Sequence, residues 1–204
     1  VTFHTQSITK AWPEEWNESF DFVHQRFAMP SASTDGIPAA VARLAGLLKS
    51  SGWMQCTETD HSIFTGPAMG DMWKVVQAVF KAIGLRNDVA KHLAGWLTEA
   101  GLRDVEERVF DVPLGAKNSD AELARKGTVM MMRGASGLVD AAKRKSQNTS
   151  LFFIADHYCR LEMPTGLDHA WLDTIVPNIE KELNSSGGVL RIHVSWGRKA
   201  ILML

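Results

Sequence analysis

The chain has 204 residues, 45% of them hydrophobic, which is enough for one sizeable core and argues against a second independent one. A net charge of -1 leaves no basic footprint for nucleic acid, and no apolar run reaches bilayer length, so neither nucleic acid nor membrane is expected as a partner. The two cysteines, Cys56 and Cys159, lie far apart without metal-ligand spacing, which fits a reducing cytoplasmic or nuclear setting better than a disulfide scaffold.

Residues 1–9, VTFHTQSIT, alternate like an outer strand, and a start at valine rather than methionine is expected of a piece of a longer protein. Trp12 and Trp16 flank Pro13-Glu14-Glu15 in a loop that covers the core. Asn17-Glu18-Ser19 then turns the chain into Phe20-Asp21-Phe22-Val23, an apolar run that stops at His24-Gln25-Arg26. That pattern predicts a buried strand with a polar end. Asp35-Gly36-Ile37-Pro38 offers a cap and a helix-opening proline, and Val41, Leu44, Leu47 and Leu48 recur at helical spacing until Ser50-Ser51-Gly52. Residues 53–58 form a second predicted strand, with Glu58 and Asp60 at its end. In an open α/β sheet, ligands bind at the carboxyl ends of parallel strands.

Asp60, His61 and Ser62 are adjacent on a loop and cannot make a nucleophile, base and orienter, so His61 stands only as a weak candidate base. Residues 68–83 put Met69, Met72, Trp73, Val76, Val79, Phe80 and Ile83 on one helical face closed by Gly84. Asn87 or Asp88 caps a further helix with Val89, Leu93, Trp96 and Leu97 inward, and residues 103–112 form a strand ended by Pro113-Leu114-Gly115. Residues 117–162 are mixed, with helices expected to break near Gly127, Gly134 and Gly137. Lys143-Arg144-Lys145 suits a solvated helix end. Asp156, His157, Tyr158 and Cys159 follow an apolar run; His157 is a second weak candidate base, and the spacing does not supply a metal-ligand set. A last helix over 168–183 buries Trp171, Leu172, Ile175, Ile179 and Leu183 around Pro177. After Ser185-Ser186-Gly187-Gly188, the residues Leu190, Ile192, Val194 and Trp196 alternate as a closing strand.

FDFVHQR followed by LAGLLKSSGWMQCTE resembles the fourth strand, fourth helix and fifth strand of class I S-adenosylmethionine-dependent methyltransferases, especially those of fungal secondary metabolism. WLTEAGLRDVEERVFDVPLG and IHVSWGRK are similar to that family's helix entering strand six and its last strand. The resemblance implies an α/β, Rossmann-like fold: an incomplete parallel sheet with its last strand antiparallel, plus helical substrate-cover segments at about 62–100 and 117–162. Residues 1–204 would be the C-terminal portion of one methyltransferase domain. A preceding glycine-rich segment, a partner chain or a homodimer would complete the sheet.

The resemblance also implies S-adenosylmethionine as cofactor. Gln6, Ser7 and Ile8 would lie toward the adenine, with Ser7 standing where relatives carry an acid. His24, Gln25 and Arg26 would lie beside the methionine portion, where a guanidinium can grip a carboxylate or pair with an acid of the protein. Phe27, Met29, Glu58, Met69 and Trp73 would face a small hydrophobic substrate. The implied reaction is in-line methyl transfer, which needs alignment and exclusion of water, with a base required only for an alcohol-like acceptor. No residue is assigned as catalytic. Two alternatives stand beside this reading. One is a non-catalytic regulatory scaffold, suggested by Ser7 and the missing loop; the other is the same fold carrying a rearrangement or cyclisation.

Overall fold

The computed structural model describes residues 1–63, 65–143 and 165–201, with residue 35 described by its backbone alone. The strands are β1 (Phe20–Arg26), β2 (Leu48–Thr59), β3 (Leu102–Leu114) and β4 (Gly188–Lys199). The helices are α1 (Ile37–Gly46), α2 (Pro67–Ala82), α3 (Leu93–Glu99), α4 (Ala121–Lys143) and α5 (His169–Ser185). The described residues of Val1–Asp60, Asp88–Phe110 and Ile192–Leu204 make one unit, and those of His61–Asn87 and Asp111–Arg191 a second.

The sheet runs in the order β1-β2-β4-β3. β1 is parallel to β2, and β4 is antiparallel to β2, as expected of the closing strand. In the first unit, α1 follows from its sequence: Gly36 is the N-cap and Pro38 lies in the first turn, where its missing N–H costs nothing. Ile37, Ala40, Val41, Leu44 and Ala45 then fall on one buried stripe. They join Val23 of β1, Leu48, Met54 and Cys56 of β2, and Leu93, Trp96 and Leu97 of α3 in one core. Each fully buried Ile, Val or Leu there contributes up to about 1.5–3 kcal/mol of transfer free energy, so a charge at Val41 would break the cluster.

The helix expectation needs one correction at its end. It stops at Gly46, and Leu48 is already the first residue of β2. Ser50-Ser51-Gly52 is an irregularity within that strand: pairing steps from Phe20↔Leu48 to Phe22↔Trp53, and Ser51 has φ 68°. A Cβ at Gly52 would lie 3.1 Å from the Phe20 carbonyl oxygen, so the two backbones approach closely there.

Residues 1–9 are not a strand. They carry no ladder, and Val1 and Phe3 are fully exposed. Alternation fixes which side chains share a face, but a strand also needs a neighbour for its N–H and C=O groups, and this segment turns on itself through Lys10 N to Ser7 O. Trp12 and Trp16 stack at 5.9 Å and pack against the core, as their loop position suggested.

The second unit is helical apart from the strand segments that enter it. α2 ends where Leu85 N reaches back to Phe80 O across Gly84, whose φ is 71°. α4 is one continuous helix of 23 residues, so Gly127, Gly134 and Gly137 do not break it. Each glycine costs about 1 kcal/mol against alanine. Packing of Met131, Ala135, Val139 and Ala142 against its neighbours α2 and α5 outweighs that cost, and Asp120 caps its start by accepting from Glu122 N and Leu123 N. In α5, Asp168 accepts from Trp171 N, and the helix runs on through Pro177. Among the described residues, no helix is long and apolar enough to cross a membrane.

Candidate functional site

β1 and β2 end side by side, with Gln25 paired to Cys56 and Arg26 to Thr57. Side chains alternate, so Gln25 turns to the covered face while His24 and Arg26 are exposed. Under the strand ends, Gln25 Nε2 donates to Glu58 Oε1 over 2.6 Å, and Met29 N donates to the same oxygen over 2.9 Å. Glu58 is 3% exposed. Burial pushes its carboxyl up to about 7, against the opposing pull of bonds from Met29, Gln25 and Ala28. Gln25 Oε1 is buried without a hydrogen-bond partner.

The turn after β1 is unusual. Phe27 N still donates to Thr57 O over 2.9 Å, yet Phe27 has φ 56°, a left-handed conformation that a bulky side chain seldom adopts. Phe27 is 49% exposed, with the Arg26 guanidinium 5.6 Å from its ring centre. Met29, two residues on, is fully buried.

A second buried polar group shares this face of the sheet. Glu58 stands opposite His193 in the β2–β4 register. His193 Nε2 is 3.5 Å from Asp60 Oδ2, and Nδ1 is 3.3 Å from Glu107 Oε1, both within ion-pair distance, with Nδ1 making no hydrogen bond. Ser195 Oγ donates to Glu107 Oε2 over 3.1 Å, and Lys91 Nζ lies 3.9 Å from Asp60. This group was missed in the sequence. The alternating set Leu190, Ile192, Val194 and Trp196 holds only at Leu190, which is buried; beyond it the buried positions of β4 are His193, Ser195 and Gly197. The available signal was the polar phase of the same alternation, facing Glu58 and Asp60.

The other expected residues are distributed differently. Gln6 Nε2 donates to Ala11 O, Ser7 Oγ bonds to Thr9 Oγ1, and Ile8 packs against the core while its carbonyl accepts from Arg43. In the second unit, His61 lies 4.9 Å from Trp73 and 5.7 Å from Phe80, ring to ring. The Trp73 indole donates to Ile63 O over 2.8 Å. Met69 is fully buried, and its N–H, with that of Ala68, donates to the carboxylate of Glu182. Glu182, 9% exposed, was also missed; it caps α2 where a helix start favours a negative charge. His157 lies outside the described residues. Among the described residues, no group of three His, Cys, Asp or Glu is placed to hold a metal ion.

No protein-family model matches the chain. It is 31% identical to the N-methyltransferase gliN of Aspergillus fumigatus, over 97% of this chain and 67% of that protein. It is 30% identical to the N-methyltransferase sirN of Leptosphaeria maculans, over 99% of this chain and 67% of that one. The chain thus spans about two thirds of the length of these relatives. Among solved structures it has a weak likeness, TM-score 0.44 and 11% identity, to a Haemonchus contortus N-methyltransferase in complex with phosphomonomethylethanolamine and S-adenosylhomocysteine. That likeness covers 90% of this chain and 34% of the other. On the strength of the two fungal relatives, the chain belongs to the S-adenosylmethionine-dependent methyltransferase family of gliN and sirN.

Proposed function

We propose that the protein serves methyl transfer from S-adenosylmethionine to a small hydrophobic metabolite, with nitrogen as the accepting atom. The nitrogen assignment is supported by gliN and sirN, both N-methyltransferases. The observation that carries the reading is the outward Arg26–Phe27 turn set over the buried Gln25–Glu58 pair at the parallel strand ends. These residues fit one flank of the cofactor. Arg26 offers an exposed guanidinium for a carboxylate, Phe27 an open ring, and Gln25 a buried amide oxygen that still lacks a donor.

When bound, S-adenosylmethionine supplies an electrophilic methyl group on a sulfonium. The chain's own residues have to align the acceptor and keep water out. Arg26 would hold the methionine carboxylate, with His24 beside it, while Phe27 walls the acceptor and buried Met29 backs that wall. Gln6, Ser7 and Ile8 are assigned to the adenine end, where Ser7 offers a hydroxyl. In the second unit, α2 with Met69 and Trp73 belongs to the substrate-cover segment; Met69 is fully buried and therefore shapes the helix. A nitrogen that loses its proton readily needs no base, so neither His61 nor His157 is given that role.

We infer further that added sequence, of the kind that makes up the remaining third of gliN and sirN, covers the open face of the sheet. Phe22, Trp53 and Phe110 are 55%, 38% and 48% exposed there, and with Val194 and Trp196 they line a shallow hollow of about 530 Å³. β1 also ends the described sheet with a free edge. Free, buried Cys56 fits a reducing cytoplasmic or nuclear setting. Calorimetric titration of the intact protein with S-adenosylmethionine tests the main reading. Saturable micromolar binding is expected, and no binding at millimolar cofactor overturns it.

A further inference from the structure

Four described residues other than glycine have positive φ, and Phe27 is the only bulky apolar one; Glu18, Ser51 and Asp104 are polar. A phenylalanine in that region has to be held by its surroundings. The holding groups lie on β2. Phe27 N is bonded to Thr57 O, and the next residues, Ala28 and Met29, give their N–H groups to the Glu58 carboxyl. Ala28 itself is right-handed, with φ -118° and ψ -19°. A left-handed residue followed by a right-handed one turns successive N–H groups into a concavity for an anion, and here the anion is the protein's own.

We propose that Glu58 is the positioning residue of the cofactor-facing turn: its carboxyl, gripped by Gln25 and by the amides of residues 28 and 29, locks Phe27 left-handed and so presents the Phe27 ring and the Arg26 guanidinium to the ligand. The role rests on the methyl-transfer reading given above. It differs from direct substrate contact, because Glu58 is 3% exposed and its Oε1 already accepts from two donors. The grip is strongest when Glu58 is ionised, above about 7, since the donors then face a full negative charge. The charged or titratable groups facing it are Cys56 and Asp60 on its own strand, His193 across on β4, and Lys91, which reaches Asp60 from the turn Val89–His92. The Cys56 thiol is pushed up to about 12 by burial and does not titrate in the tested range.

The test is calorimetric titration of the intact protein with S-adenosylhomocysteine at pH 6 and pH 8.5, together with hydrogen exchange at the Ala28 and Met29 amides. Wild type should bind about tenfold more tightly at the higher pH, in step with ionisation of Glu58. Glu58→Gln keeps an acceptor oxygen and loses the charge, so it should bind equally at both. Glu58→Ala should weaken binding and speed exchange at both amides by about tenfold. Should Glu58→Ala fail to fold, Glu58→Gln decides alone. A pH dependence that survives in Glu58→Gln belongs to another group and overturns the proposal, as does unchanged binding and exchange in Glu58→Ala. A wild type that binds no ligand at millimolar concentration overturns the methyl-transfer reading, and this role with it.

Discussion

Gln25 and Glu58 are 33 positions apart in the chain and 2.6 Å apart in the fold. Parallel pairing of β1 with β2 brings them together, and the alternation of side chains puts both on the covered face. The pair therefore links the topology of the first unit to the turn where the proposed ligand contacts begin.

Burial of Glu58 should make stability depend on pH in the direction opposite to a salt-bridged carboxylate. Its folded value of about 7 lies above the ordinary 4.5, so the folded state holds the extra proton between those values. Its contribution is fully present below about 4.5 and is lost as pH rises through about 7, a difference of ~3 kcal/mol. Glu58→Gln is neutral throughout, so its stability relative to wild type should be near zero at pH 4.5 and favourable by up to ~3 kcal/mol at pH 8. Urea unfolding at the two pH values measures this, and an equal difference at both would falsify it. Retention of a carboxyl that costs stability at neutral pH agrees with a functional task for it.

Much of this site was legible in the sequence because a buried run that stops abruptly at His24-Gln25-Arg26 has few other readings. Glu58 and Asp60 at the end of the next strand were legible for the same reason. The division of labour between neighbours was not: whether Gln25 or Arg26 faces outward depends on which face of β1 the helices cover. The same ambiguity inverted the reading of β4 beyond Leu190, where Val194 and Trp196 lie on the half-open face and His193 and Ser195 are buried. Residues 1–9 failed for a different reason, since alternation carries no information about a pairing partner. In α4 the cost of the glycines is outweighed by packing that only the folded neighbours α2 and α5 reveal.

Glu182 and Gly66 should act as one unit. The Glu182 carboxylate accepts from Ala68 N over 2.7 Å and from Met69 N over 3.1 Å, and a Cβ at Gly66 would fall 2.5 Å from it. Glu182→Ala should cost about 1–2 kcal/mol through loss of the charged cap. Gly66→Ala should displace the carboxylate and cost a similar amount. Combined, the two should cost little more than either alone, with a coupling of about 1 kcal/mol in a double-mutant cycle. Simple additivity would mean that the cap does not depend on the close approach.

Cys56 should resist alkylation in the folded protein. It is fully buried, and desolvation, with the Glu58 charge adding to it, raises its thiol to about 12. At pH 8 the thiolate fraction is then on the order of 10⁻⁴, and the thiolate is the reactive form. Iodoacetamide at pH 8 followed by peptide mass mapping should find Cys56 unmodified until denaturant is added. Rapid native labelling would place the residue outside the core.

His193 should prove a structural keystone of the first unit. It is 8% exposed, with carboxylate oxygens 3.5 Å from Nε2 and 3.3 Å from Nδ1. Replacing it with alanine leaves a cavity and brings Asp60 and Glu107 to face each other across it without the ring between them. Lys91, at 3.9 Å and half-exposed, compensates Asp60 only weakly, and Ser195 keeps its bond to Glu107. The expected cost is about 2–4 kcal/mol, drawn from the cavity and from the loss of a partner for the buried carboxylate of Asp60, with the exposed Glu107 adding little. Neutralising one of them should restore part of it, so Asp60→Asn in the His193→Ala background should recover about 1 kcal/mol. Chemical unfolding of the wild type and the two variants decides the matter: no recovery in the double variant would assign the loss to the cavity and leave the carboxylates with no part in it.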